Sequence, residues 1–247
     1  DSSLIGLAST LPPPFAKTAG ASLPLRMELR EQPGRPNLLA INLDKIASAQ
    51  LLLDATAQGA MSRGMVSLGS PATLPAADGL WIRGSLDLVD ADVWQGLLSG
   101  GSGNSPPALA GVDLQIGILD VSRRRFHDLK VQATREDSEW QVKLAGREVA
   151  GQVSWSSGGD GKLSARLSKL VLPPITTVIQ SSKPAAAEQR LPAVDLIADS
   201  FTYEGKDLGR LTVLAQPETS GWQLRRMEIV NPESKIAMNG QWTIGES

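Results

Sequence analysis

Alternation with a period of two residues narrows the folds open to this chain more than any other feature of its sequence. Leu23, Leu25, Met27 and Leu29 alternate with Pro24, Arg26 and Glu28, and Leu39, Ile41 and Leu43 follow. Leu80, Ile82, Leu86 and Leu88 flank Gly84, and Val112, Leu114, Ile116 and Ile118 come next, then Leu129, Val131 and Ala133. Trp140, Val142 and Leu144 repeat the pattern, as do Leu163, Ala165 and Leu167, then Leu211, Val213 and Ala215, and finally Ile236, Met238, Gly240 and Trp242. Successive side chains of a strand point to opposite faces, so each segment carries one apolar and one polar face. Turn-forming clusters at 31–34, 156–161, 204–207 and 231–234 separate the segments. This spacing predicts an all-β, mainly antiparallel meander with no room for βαβ crossovers.

Helix is scarce. The stretch Asp90–Leu98 is the best candidate, with Asp90 or Asp92 placed to cap the free N–H groups of its first turn. Ser99–Pro107, rich in Gly and Ser, reads as a flexible linker, and 173–190 as a connection holding at most a short helical turn. The expected organisation is a β segment over 1–98 ending in a short helix, a linker at 99–108, a first β repeat over 109–172, the connection at 173–190 and a second β repeat over 191–247, all within one continuous sheet.

An internal repeat joins the two halves of the later region. Residues 109–142 lie over 191–224 at an offset of 82 without gaps, and 11 of the 34 positions are identical. Among them are Val112/Val194, Asp113/Asp195, Leu114/Leu196, Leu129/Leu211, Val131/Val213, Ala133/Ala215 and Trp140/Trp222. Chance pairing at ordinary frequencies gives about two or three. In both copies the apolar phase slips by one, from Val112/Leu114 to Leu119/Val121 and from Val194/Leu196 to Phe201/Tyr203. A slip of one residue turns side chains to the other face, so a bulge or crossing is expected at the same place in each. Multi-strand repeats imply a stacked, quasi-linear array.

Composition excludes more than it proposes. The 247 residues carry 24 Lys plus Arg against 26 Asp plus Glu, one His and no Cys. Zero cysteines exclude disulfides, thiolate metal sites and cysteine nucleophiles. A net charge of −2 argues against a nucleic-acid partner, which calls for a basic surplus. No stretch approaches the ~18 uninterrupted apolar residues of a membrane helix. No metal or cofactor is expected.

A sheet with one apolar face must bury it. The chain holds many amphipathic strands and no helices long enough to lie across them. The sheet either closes into a barrel or sandwich, or covers itself in an oligomer, or curls into a groove filled by lipid. Periodicity alone favours closure, whereas the repeat favours the open groove, because an array can lengthen by repetition and a barrel cannot. Each buried CH₂ is worth ~0.8 kcal/mol, so a continuous apolar trough removes the main barrier to moving an acyl chain without needing a specific site.

Leu191–Leu211, with Gly221-Trp222 and Asn231-Pro232 before Gly240-Gln-Trp242, resembles the late region of YhdP-type AsmA-like proteins. Ser2–Leu7, Leu11–Lys17 and Leu23-Pro24-Leu25 are similar to the same family, and Gly79–Gly84 with Asp92 and Trp94 fits between them. The resemblance covers most of the chain but rests on structural residues, with none at the linker or at 175–190. It implies a long twisted, curled sheet forming an open hydrophobic groove, with one or two short helices. It also implies a periplasmic segment of an inner-membrane-anchored protein of a Gram-negative bacterium. Such proteins are linked to moving phospholipid between inner and outer membranes and to the outer-membrane permeability barrier, without known catalytic residues. The start at Asp1, without a signal-like run, fits an excerpt of such a parent. The expected partners are phospholipid acyl chains, neighbouring strands of that parent, and both membranes through parts not included in this chain. The groove candidates are Leu114, Ile116, Leu129, Val131, Ala133, Val142, Leu196, Leu211, Val213, Ala215, Leu224, Ile236 and Met238. The rival reading is a structural or assembly β-sandwich module of the envelope that binds another protein.

The polar residues that invite chemistry lack partners in the sequence. His127 follows Arg123-Arg124-Arg125-Phe126 and reads as part of a solvated turn, since Gly209 replaces it in the other copy. Asp113 and Asp195 recur on matching strands and fit hydrogen bonding at a sheet edge or turn better than acid–base work. Trp140, Trp155, Trp222 and Trp242 fit packing on apolar strand faces.

Overall fold

The computed structural model describes residues 1–31, 34–54, 60–99, 109–175, 192–218 and 221–243. Fourteen strands and one helix follow in order: β1 (Leu25–Arg30), β2 (Asn37–Leu43), β3 (Ala47–Leu53), β4 (Met61–Leu68), β5 (Gly79–Asp90), α1 (Ala91–Ser99), β6 (Leu109–Val121), β7 (Arg124–Glu136), β8 (Glu139–Ala145), β9 (Val149–Ser156), β10 (Lys162–Leu172), β11 (Ala193–Tyr203), β12 (Lys206–Glu218), β13 (Gly221–Val230) and β14 (Lys235–Thr243). They form one sheet in which hydrogen-bonded neighbours follow chain order. The all-β, mainly antiparallel class expected from the alternation is therefore what the chain adopts, with a single helix among the described residues. Asp90 caps that helix, its Oδ1 accepting the Val93 N–H at 3.0 Å. The linker beyond Ser99 and most of the 173–190 connection lie outside the described residues.

The meander is not purely antiparallel. Strand β5 runs parallel to β4, and β11 runs parallel to β10. Each pair needs a crossover, and the first of these, residues 69–78, contains no helix. A strand pair thus crosses over in ten residues of irregular chain where the helical connection usual for parallel strands is absent.

The chain divides into two compact units, Asp1–Leu119 and Asp120–Ser247. Within each, the described strands make their extensive contacts with sheet neighbours alone. Neither unit is therefore a sandwich of facing sheets among the described residues.

The 82-residue offset reappears as an offset of elements. Strand β7 maps onto β12 with identical bounds, and the Ser122-Arg123 turn maps onto Glu204-Gly205. Both central residues of each turn have positive φ, at 50° and 61° in the first and 48° and 75° in the second. That backbone twist matches the twist of the strands it joins, as in type I′ hairpins. The cluster Arg123–His127 is accordingly less of a turn than its polarity suggests. Only Arg123 belongs to the turn, and Arg124 to His127 open β7. Lys206 and Asp207 likewise belong to β12 and not to a turn.

A bulge re-phases the apolar set on β11, where the second copy slips, and another lies beside it on β10. On β11 the register with β12 shifts between Ala198 and Thr202, and on β10 the register with β9 shifts between Leu167 and Lys169. The parallel β10–β11 register runs unbroken through both, pairing Leu167 with Ala198 and Leu170 with Phe201. An extra residue in each strand keeps Leu170 and Phe201 on the apolar side. Gly151 stands at this bend with φ +145°, and a Cβ there would lie 2.4 Å from the Arg166 carbonyl oxygen. The approach of the two backbones admits only glycine.

Candidate functional site

Directly opposite residues of paired strands share a face, so the registers fix which side chains form a surface. In the second unit one ladder crosses eight strands as Val131–Leu144–Gly151–Leu167–Ala198–Leu211–Ile229–Ile236. The next runs Ala133–Val142–Val153–Ala165–Leu196–Val213–Met227–Met238. No polar or charged residue interrupts either. At about 4.8 Å per strand, each ladder spans ~34 Å across the strands. The opposite face reads Gln132–Lys143–Gln152–Arg166–Ile197–Thr212–Glu228–Ala237 along the equivalent line.

Burial varies along the apolar face. Leu129, Ala133, Ala165, Leu167, Ala198, Phe201, Leu211, Ala215 and Ile229 are buried, with Ala198 and Ala215 at 0% exposure. Val131, Val142, Leu196, Val213 and Leu224 are half-buried. Toward strand β14 the face opens, and Ile236 and Met238 are 49% and 48% exposed. Both small residues (Ala165, Ala198, Ala215) and large ones (Leu129, Leu167, Leu211, Phe201) are buried on it.

Eleven of the thirteen groove candidates lie on this one face of the second unit. The other two, Leu114 and Ile116, belong to the first unit. A Cβ at Gly111 would stand 2.2 Å from the Trp81 ring, which puts Gly111 on the Trp81 side of the sheet. Alternation then places Leu114 and Ile116 on the other side, with Ile82. Ile82 stands opposite Val66, Val66 opposite Ala49, Ala49 opposite Ile41, and Ile41 opposite Met27. The first unit therefore carries its own apolar face, whose edge residues Met27 and Leu29 are exposed.

The first crossover packs on the polar side. Ser48 and Ser67 stand opposite each other on that side, with Asn42 and Arg26 beyond Ser48. The Ser48 hydroxyl donates to the Ser70 carbonyl at 2.8 Å and accepts the Ala72 N–H at 2.6 Å. Arg63 donates to the Pro75 carbonyl and pairs with Asp78 at 3.4 Å. Met65 and Ser67 of β4 are buried, as is Ala72 of the connection itself. The strand that must return to start a parallel pair thus passes behind the sheet and leaves the apolar face clear. Nothing in the sequence pattern announced this, because the crossover hides Met65 and Ser67 on what would otherwise be the wet side.

The polar residues are held in structural pairs. Asp195 sits on interior strand β11, not at an edge, and accepts from Arg166 on neighbouring β10 at 2.8 Å. That hydrogen bond holds its carboxyl below the usual range, against the opposing effect of burial. Asp120 is lowered by a two-pronged bond from Arg125, both prongs at 2.8 Å. Arg147 pairs with Asp128, and Arg124 donates to the Pro173 carbonyl. His127 is not in a solvated turn. Its backbone N–H donates to Glu148 Oε2 at 2.7 Å, and its Nδ1 lies 2.9 Å from Glu148 Oε1. Among the described residues no group of three or more His, Asp or Glu side chains is arranged to hold a metal ion.

The fold and the face define a class: a repeat-built β protein whose strands follow one another in a single sheet, with a continuous apolar face crossing the eight strands of its second unit. A family model described as YhdP protein matches residues 1–247, and the chain belongs to that family, as its motifs suggested. Membership suggests a cell-envelope protein. No described helix is long and apolar enough to cross a membrane. Neither the comparison with curated proteins nor that with solved structures found a match.

Proposed function

We propose that this chain is a non-enzymatic carrier segment that passes phospholipid between the inner and outer membranes of a Gram-negative envelope, along the apolar face of its sheet. The segment works in the periplasm as part of an inner-membrane-anchored protein, and the flux it carries sustains the outer-membrane permeability barrier. One observation carries the reading: two apolar ladders cross eight strands without a polar interruption. The polar-side crossover of the first unit supports it, since an open face has a use only if it is kept open.

Lipid acyl chains suit such a surface for a physical reason. They need no directional partner, and a uniform ladder gives each methylene nearly the same free energy at every position, so a chain can slide without deep traps. A Val213→Asp substitution puts a charge in the middle of one ladder. Uncompensated burial of a carboxylate against acyl chain costs several kcal/mol, so passage stops there while the strand, half-buried at this position, still forms. Photocrosslinking in cells with probes at Val131 and Val213 tests the reading against Lys130 and Thr212 on the opposite face. Lipid adducts are expected at the first pair alone, and equal labelling at both pairs would sink the proposal.

A further inference from the structure

The apolar face of the second unit has two unlike margins. At one strand end a row of residues stands one place in from each terminus: Arg135 on β7, Trp140 on β8, Trp155 on β9, Leu163 on β10 and Val194 on β11. Register links them in that order across the sheet. Further along the same margin Trp222 holds the same place on β13, opposite Pro217. Three tryptophans with described side chains, of six in the chain, thus line one edge of one surface. All three are half-buried. The Trp222 indole N–H donates to the Pro192 carbonyl at the start of β11, 3.0 Å away, so its polar edge is turned to the strand ends. At the far margin stand Leu129, Val149, Leu170 and Phe201, all but Leu170 buried, with Tyr203 and Lys206 beyond them.

Indole combines a large apolar body with a single polar edge, and it collects where hydrocarbon meets a hydrated polar layer. A lipid lying on a sheet face meets that boundary once, where its acyl chains end and its glycerol and phosphate begin. The Arg135 guanidinium, exposed beside Trp140, adds a cation complementary to phosphate on the same margin. From this juxtaposition we propose that the margin formed by Arg135, Trp140, Trp155 and Trp222 is the headgroup side of the lipid path. Acyl chains lie over the ladders of Ala133 and Val131, and glycerol and phosphate lie along the indole row. This rests on the reading of the face as a phospholipid path and adds a polarity to it: lipids travel sideways along the ladders with their headgroups on one fixed flank.

The test uses the full 247-residue chain carrying W81F, W94F and W242F, so that emission comes from Trp140, Trp155 and Trp222. The protein is loaded with phosphatidylcholine bearing a nitroxide either on the choline group or near the methyl end of an acyl chain. Quenching by the headgroup nitroxide is expected to exceed that by the chain-end nitroxide. In a reference chain with all six tryptophans replaced by Phe and Y203W added, that ratio should invert. Stronger quenching of the margin tryptophans by the chain-end probe, or equal ratios at both margins, overturns the proposal and leaves the lipid path standing. Should the reference chain fail to fold, the ratio within the first protein decides alone. No quenching by either probe overturns the lipid path and this inference together.

Discussion

Glu148 shows how much one side chain can organise. It is buried, and its carboxylate takes both the backbone N–H and Nδ1 of His127 from β7, while its own carbonyl accepts the Val171 N–H of β10. Glu148 thereby ties the β8–β9 turn to the strands flanking that hairpin on both sides, β7 and β10. Glu148→Ala leaves the His127 N–H without an acceptor in a part-buried site, at a cost of about 1–3 kcal/mol. Glu148→Gln keeps one acceptor and should recover part of that loss. Urea unfolding of the two variants checks the order, and an unchanged midpoint for the alanine variant would refute it. Asp195 behaves differently because its pair with Arg166 is partly exposed. Its folded-state pKa is depressed, so the stabilisation is complete above the ordinary carboxylate range near 4 and is lost as pH falls through the lower folded value. Asp195→Asn should cost only about 0.2–1 kcal/mol at neutral pH. Its stability curve should meet that of the parent in acid and separate from it above, in titrations followed by circular dichroism.

At the scale of elements, the two related hairpins differ at one informative place. The β6–β7 turn has Arg123 at φ 61° where the β11–β12 turn has Gly205 at φ 75°. A side chain in the left-handed region costs roughly 1 kcal/mol, which glycine avoids. Arg123→Gly is therefore expected to stabilise the second unit by about 0.5–1 kcal/mol, net of glycine's added freedom when unfolded. Thermal unfolding reads the shift, and a loss of stability would show that Arg123 contributes a contact outweighing the turn strain. The same elements mark what the sequence could and could not tell. Strands such as β7, β8 and β12 were legible because one face is polar and the period survives, whereas β13 slips at a bulge between Leu224 and Met227. Strands β3 and β4 were not. Leu51-Leu52-Leu53 runs without alternation, and β4 is covered by sheet neighbours on one side and the crossover on the other, so Met65 and Val66 are apolar in succession. Strand β9 was masked by Gly151, whose missing side chain breaks the pattern where the backbone bends. The parallel pairs were illegible for a further reason: alternation reports faces, not directions, and the 69–78 crossover, which holds no helix, leaves no period of its own. For the candidate site, the registers placed eleven residues on one surface because the repeat had already fixed their phase. The indole margin needed the strand ends to be known before its row could be seen.

On the scale of the molecule, the apolar face raises the question of what covers the part of it that meets solvent. In the second unit the ladders at Val131 and Ala133, with the rows on either side of them, cover about 20 Å along the strands and ~34 Å across them. That footprint is ~700 Å²; nine of its residues are buried, and its solvent-facing part lies at the half-buried Val131, Val142, Leu196, Val213 and Leu224 and toward β14. No second layer of strands faces it among the described residues, and Ile236 and Met238 at its β14 side are half exposed. The net charge of −2 gives little electrostatic repulsion to keep copies apart. On the proposed reading bound phospholipid would resolve both difficulties, covering the face and turning a hydrated surface outward. Two measurements should then move together when purified protein is stripped of lipid in mild detergent and returned to buffer. The native state should bind the apolar dye ANS with circular dichroism unchanged, and its melting temperature should fall, because a ligand that binds only the folded state stabilises it by RT ln(1 + [L]/Kd). Adding back phospholipid vesicles should displace the dye and restore the melting temperature. A stripped protein that folds cooperatively, excludes ANS and melts where the loaded one does would have closed its face with its own residues. In that case the ladders form a core, and the envelope module of the rival reading takes the place of the carrier.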